Sequence, residues 1–176
     1  MSDRTLIVDY SNTGTSRRVA DLLASQFQWP RGEIREDRSR TGTAGMLRCV
    51  FDSLLKRHPA IRYEGPDPKS FETVVLIAPI WLHQLAGPMR SFVRDQAPDL
   101  RRVAVISVMG GQGAANAFAE VDRILGRPPI LSTSFTAREV DDGSYSPNLQ
   151  VFGNAVRDNA TKTQAVRPTT LSPSAV

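Results

Sequence analysis

The stretch that most constrains the fold is "TVVLIAPI", residues 73–80, in which seven of eight residues are apolar and four are β-branched aliphatics. A half-exposed strand alternates polar and apolar positions. A run apolar at nearly every position needs cover on both of its faces, as the central strand of a parallel sheet has when helices pack on either side. Two further runs read the same way: residues 4–9, and "RRVAVISV" at residues 101–108. Between these strands the period changes from two to 3.6. Val19, Leu22, Leu23 and Phe27 share one helical face, as do Leu47, Val50, Phe51, Leu54 and Leu55, with Pro59 ending that second helix. Pro88 suits the first turn of a third helix bearing Met89, Phe92, Val93 and Ala97. Ala114, Ala117, Phe118, Val121, Ile124 and Leu125 form the stripe of a fourth, stopped by Gly126. A short strand at 33–36, a last strand at 130–135 and a helix over 147–159 complete five strands and five helices in alternation.

Strict alternation implies right-handed crossovers and hence an α/β fold, a doubly wound parallel sheet between two helical layers. The expectation is one domain over residues 1–160, followed by a disordered tail at 161–176 that lacks periodicity and contains two prolines.

In such a sheet, ligands bind beyond the carboxyl ends of the strands. The first such corner is "SNTGTS", residues 11–16, where Ser11, Thr13, Thr15 and Ser16 bring four hydroxyls beside Asn12 and Gly14. A helix N-terminus offers unpaired backbone N–H groups and a partial positive charge, and hydroxyls add donors that turn toward anionic oxygens. These features together describe a phosphate cradle. The plainer alternative is that Thr15 or Ser16 caps the helix, a task for one hydroxyl. Arg17 and Arg18 oppose the helix dipole in the first turn, which an anion nearby would relieve. Asp9, at the end of an apolar strand, is expected to accept hydrogen bonds from loop N–H groups.

"SNTGTS" directly after a first strand resembles the phosphate loop of the flavodoxin-like family, with Ser11, Thr13 and Gly14 matching and Ser16 replacing the usual threonine. "APIWLHQLAGPMRSF", from Ala78, resembles that family's loop after the third strand, and "SVMGGQG", from Ser107, the glycine-containing loop after the fourth. With the helix "GMLRCVFDSLLKRHP", the resemblance covers about residues 4–160. It implies a three-layer α/β/α sandwich with a five-stranded parallel sheet of order 2-1-3-4-5, and FMN as cofactor. The phosphate would lie on Ser11, Asn12, Thr13, Gly14, Thr15 and Ser16. The ring would meet Pro79, Ile80, Trp81, Leu82 and His83 on one side, and Ser107, Met109, Gly110, Gly111, Gln112 and Gly113 on the other.

Physical chemistry supports the same assignments independently. An indole at a strand end is a rigid stacking surface for a flat ring, although it also serves as a sheet cap or a partner contact. Glycines in the third loop let main-chain N–H groups approach a ring's polar edge, or simply make a turn. Gly111-Gln112-Gly113 begins a dinucleotide-type pattern, but Asn116 stands in place of its third glycine. The third loop brings no second aromatic, so Met109 is the bulky candidate for the other ring face. His83 is read as a surface residue beside the site, and His58 as a helix-end residue.

Charge decides among partners. The net charge of +4 falls to +2 without Lys162 and Arg167 of the tail, and the arginine-rich run at 31–40 also holds three acids and no aromatic. That is a solvated edge rather than a nucleic-acid groove. Cys49 is the only cysteine, so no disulfide forms within the chain and a buried inert thiol is expected. No stretch approaches the roughly 18 apolar residues of a membrane span, and no secretory signal precedes the first strand. A cytoplasmic protein is expected, a monomer or weak dimer without nucleic-acid or membrane partners. Its function would be electron transfer to a redox protein or small acceptor, with no catalytic acid or base and no metal. The alternatives are an FMN-dependent NAD(P)H:quinone-type reductase and an interaction module of this fold without flavin.

Overall fold

A computed structural model describes residues 4–36 and 59–165. The elements in order are β1 (Thr5–Tyr10), α1 (Thr15–Phe27), β2 (Arg31–Glu36), β3 (Ile61–Glu64), a 3-10 turn (Pro68–Ser70), β4 (Thr73–Trp81) and β5 (Gln84–Leu85). They continue with α2 (Gly87–Gln96), β6 (Arg102–Met109), α3 (Ala114–Leu125), β7 (Leu131–Thr136), α4 (Ala137–Asp142) and α5 (Ser146–Ala165).

The sheet runs β3-β2-β1-β4-β6-β7, with β5 paired to β4. Five of its strands, β2-β1-β4-β6-β7, are joined by parallel pairings. Counted alone they stand in the expected order 2-1-3-4-5. The expected sheet of five parallel strands is nevertheless too small, because β3 pairs antiparallel with β2 and β5 antiparallel with β4. β3 is half-buried, exposing alternate residues, as an edge strand does. β5 has two residues, too few for any periodicity to mark it.

The apolar runs divide as parity requires. Leu6, Val8, Val74, Leu76, Val103 and Val105 face one way and pack with Met89 and Phe92 of α2 and Ala117 and Val121 of α3. Ile7, Val75, Ile77, Ala104 and Ile106 face the other way, against Val19 and Leu23 of α1, Val140 of α4, and Leu149, Phe152 and Val156 of α5. These two cores make three layers.

Two boundaries differ from expectation. α5 extends to Ala165, five residues into the expected tail. α4 is an additional helix, opened by a capping box in which Thr136 Oγ1 accepts from Glu139 N–H and Glu139 accepts from Thr136 N–H. The helix expected over Leu47 to Leu55, Cys49, His58 and the residues after 165 lie outside the described residues.

Candidate ligand cleft

Chain order reverses between β1 and β4, which places the switch point of the sheet beyond their carboxyl ends. A cleft of about 140 Å³ opens there. It is lined by Ser11, Asn12, Thr13, Thr15 and Ser16 after β1, by Pro79, Ile80 and Trp81 at the end of β4, by Val108, Met109 and Gly110 at the end of β6, and by Ala137 of α4.

The first loop is held from within. Ser11 Oγ accepts from the Gly14 N–H at 3.0 Å, drawing the chain into a tight turn. Gly14, the residue before α1, has φ 92°, in the left-handed region that glycine enters without strain. No side chain caps α1. The capping alternative for Thr15 and Ser16 therefore fails. Among the described residues, no side chain caps the N–H groups of the first turn. Thr13 Oγ1 and Thr15 Oγ1 lie 3.3 Å apart on the rim, and Ser16 is buried at the base.

Arg17 and Arg18 do not turn to the cleft. Arg17 pairs with Glu33, and Arg18 Nη2 reaches Asp141 Oδ1 at 2.5 Å, so carboxylates offset their position against the dipole and no anion is needed for that. None of the described residues lining the cleft is charged. An anion here would be held by dipoles and hydroxyls.

Asp9 corrects another expectation. Its carboxylate, fully buried, receives two bonds from one guanidinium: Arg31 Nε at 2.5 Å and Nη2 at 2.9 Å, across the β1–β2 pairing. Arg31 also pairs with Asp21. Burial raises the Asp9 carboxyl above the usual carboxylate value, and Arg31 only partly opposes this. The bond to Asp9 in turn raises the Arg31 guanidinium.

Trp81 forms one wall of the cleft. Its ring lies edge-on to Tyr10, with centroids 5.7 Å apart and planes at 84°. Leu82 and His83 follow as an exposed two-residue turn, both with positive φ, 46° and 64°. Such a turn fits the twist of a hairpin but strains residues other than glycine or asparagine. His83 and Leu82 stand outside the cleft lining. On the third loop, Gly110 lines the cleft, while Gly111, Gln112 and Gly113 do not. A Cβ on Gly110 or Gly111 would meet nothing within 4 Å. Ser107 lies inside β6, fully buried, its Oγ without a hydrogen-bond partner among the described residues.

Two lining residues, Val108 and Ala137, escaped the sequence reading. Ala137 had a usable signal, since Thr136-x-x-Glu139 marks a helix start at the end of a strand. Among the described residues, no group of three or more His, Cys, Asp or Glu is placed to hold a metal, and no helix is long and apolar enough to cross a membrane.

No protein-family model and no curated protein sequence matches the chain. Solved structures do. A flavoprotein from Lactobacillus acidophilus NCFM, crystallised in complex with FMN, matches with a TM-score of 0.67 at 17% identity, over 81% of this chain and 99% of that one. A putative flavoprotein from Bacteroides eggerthii gives 0.65 at 16% identity, over 84% and 96%. A flavodoxin from the domain Archaea gives 0.51 at 14%, over 89% and 99%. The chain has the flavodoxin-like fold.

Proposed function

We propose that the cleft binds FMN and that the chain is an electron-transfer flavoprotein. One observation carries this reading: an uncapped helix N-terminus rimmed with hydroxyls opens onto the same cleft as an indole, at the switch point of the sheet. The first group suits a phosphate and the second a flat apolar ring. A structural neighbour crystallised in complex with FMN supports FMN as the ligand.

When bound, FMN supplies the redox chemistry. The chain's own residues bind and orient it. Thr13, Thr15 and Ser16, with the first-turn N–H groups of α1, hold the phosphate without a formal positive charge. Ser11 is spent on Gly14 and keeps the loop closed. Trp81 offers a ring surface, and Met109 lines the same cleft from the end of β6. Gly110 and Gly111, with open space where side chains would stand, let main-chain groups approach the ring edge. No acid, base or nucleophile is assigned. The partner would be a redox protein or a small acceptor, and a slightly basic surface would steer it differently from an acidic one.

Replacing Thr13 and Ser16 together by alanine tests the phosphate assignment. Hydrogen bonds to a charged group contribute about 1.5–3 kcal/mol each, so FMN should weaken at least about tenfold while riboflavin, lacking the phosphate, keeps its affinity. Equal FMN affinity in the variant would remove the assignment.

A second reading has its own support. Trp81 is the one aromatic ring among the described lining residues, an arrangement that suits a bound ring with one face accessible to a small reactant. That favours an FMN-dependent reductase taking hydride from a nicotinamide and passing electrons to a quinone. Consumption of NADH or NADPH by FMN-loaded protein in the presence of a quinone separates the two. A colourless protein that stays unliganded in excess FMN would instead be an interaction module.

A further inference from the structure

A buried ion pair lies behind the Trp81 loop, away from the cleft lining. Arg90 of α2 and Glu120 of α3 meet at 2.5 Å between Nε and Oε1, with side chains only 2% and 6% exposed. Both side chains also bond β5. Glu120 Oε2 accepts from the Leu85 N–H at 3.2 Å, Arg90 Nη2 donates to the Leu85 carbonyl at 2.9 Å, and the same nitrogen reaches Gln84 Oε1 at 3.5 Å. Leu85 is itself buried, so its backbone groups depend on such partners.

The hairpin needs outside support. β5 pairs with β4 through Ile80–Leu85 and Trp81–Gln84, with one more bond from the Ala86 N–H to the Pro79 carbonyl, and the turn between them holds Leu82 and His83 in the left-handed region. Conformations of that kind persist where the surroundings over-determine them. A buried ion pair is a weak source of net stability, because apolar replacements of similar volume leave stability unchanged or raise it. What this pair supplies that apolar groups would not is three directed bonds to two consecutive residues.

We infer that Arg90 and Glu120 are positioning residues which, by binding Gln84 and Leu85, fix the hairpin that presents Trp81 to the cleft. Their effect on flavin rests on the FMN reading above; their effect on Trp81 does not.

The test uses a Trp29→Phe background, in which Trp81 is the sole tryptophan. Two variants are compared with it: R90M/E120L, which keeps the volume apolar, and Arg90→Lys, which keeps the charge beside Glu120 but gives up the planar fork. The expected result is a melting temperature near the parent's, with increased acrylamide quenching of Trp81 in the unliganded protein. FMN and riboflavin affinities should fall together by about tenfold, the scale of a lost aromatic contact, leaving their ratio unchanged. General loosening of the fold would also disturb the phosphate end and change that ratio. Unaltered quenching in a folded variant overturns the inference. Where the double variant does not fold, Arg90→Lys decides by the same readout. A parent that binds neither flavin overturns the FMN reading alone, and the quenching comparison still decides the role of the pair.

Discussion

Gly113 and His83 touch backbone to backbone: a Cβ on Gly113 would stand 2.6 Å from the His83 Cα and 3.0 Å from Ile80 Cγ2. Gly113 precedes α3 with φ 111°, so a side chain there is strained as well as obstructed. The third loop therefore packs directly on the β4–β5 hairpin, which Arg90 and Glu120 also bond. Gly113→Ala should cost about 1–3 kcal/mol of stability and weaken FMN by displacing Trp81. Gly110→Ala, whose Cβ meets nothing within 4 Å, should melt within about 0.5 kcal/mol of the parent. Thermal melts of the two variants, with a flavin titration of the first, check this.

Asp9 and Arg31 give a stability effect whose pH dependence has a definite sign. Arg31→Met leaves a buried carboxylate without its counter-charge and should cost about 3–5 kcal/mol at neutral pH. The Asp9 pKa is already raised above its ordinary value of 3.8 and would rise further in the variant. A raised carboxyl binds protons more tightly folded than unfolded. The variant's deficit should thus be smallest below about 3.8 and grow as pH rises through the folded-state pKa. Asp9→Asn added to Arg31→Met should recover much of the loss at neutral pH. Denaturant unfolding between acid and neutral pH measures both effects.

Thr136 and Glu139 behave in the opposite sense. The Thr136 N–H, then its hydroxyl, hold the Glu139 carboxyl below its ordinary value of 4.5. A lowered carboxyl contributes stability above the unfolded value, and this is lost as pH falls through the folded pKa. The cost of Glu139→Gln should accordingly fade on acidification. Thr136→Ala should cost about 1 kcal/mol as a lost N-cap, and it should loosen Ala137 at the cleft wall. Melts of both variants across acid pH read the two effects separately.

The parts legible in the sequence were those set by local pattern. β1, β4 and β6 announced themselves as apolar runs, and the hydroxyl corner followed from its place after β1. Contacts between distant residues were not legible. Asp9 meets Arg31 because parallel pairing places β2 beside β1, and Arg90 meets Glu120 because α2 and α3 share one face of the sheet. Neither relationship follows from spacing. β5 was missed because two residues carry no period, and β3 because a strand exposing alternate residues after Pro59 looks like a loop. α4 had its capping box in view, but six residues are too few for a helical stripe.

The most direct measurement is a titration of the unliganded protein with FMN, followed by flavin fluorescence, with riboflavin in parallel. Quenching by FMN at low micromolar concentration or below, with riboflavin binding much more weakly, is the expected result. It would place a phosphate on the hydroxyl corner and a ring beside Trp81. Equal binding of the two flavins would contradict the phosphate assignment, and binding of neither would contradict the flavin reading as a whole.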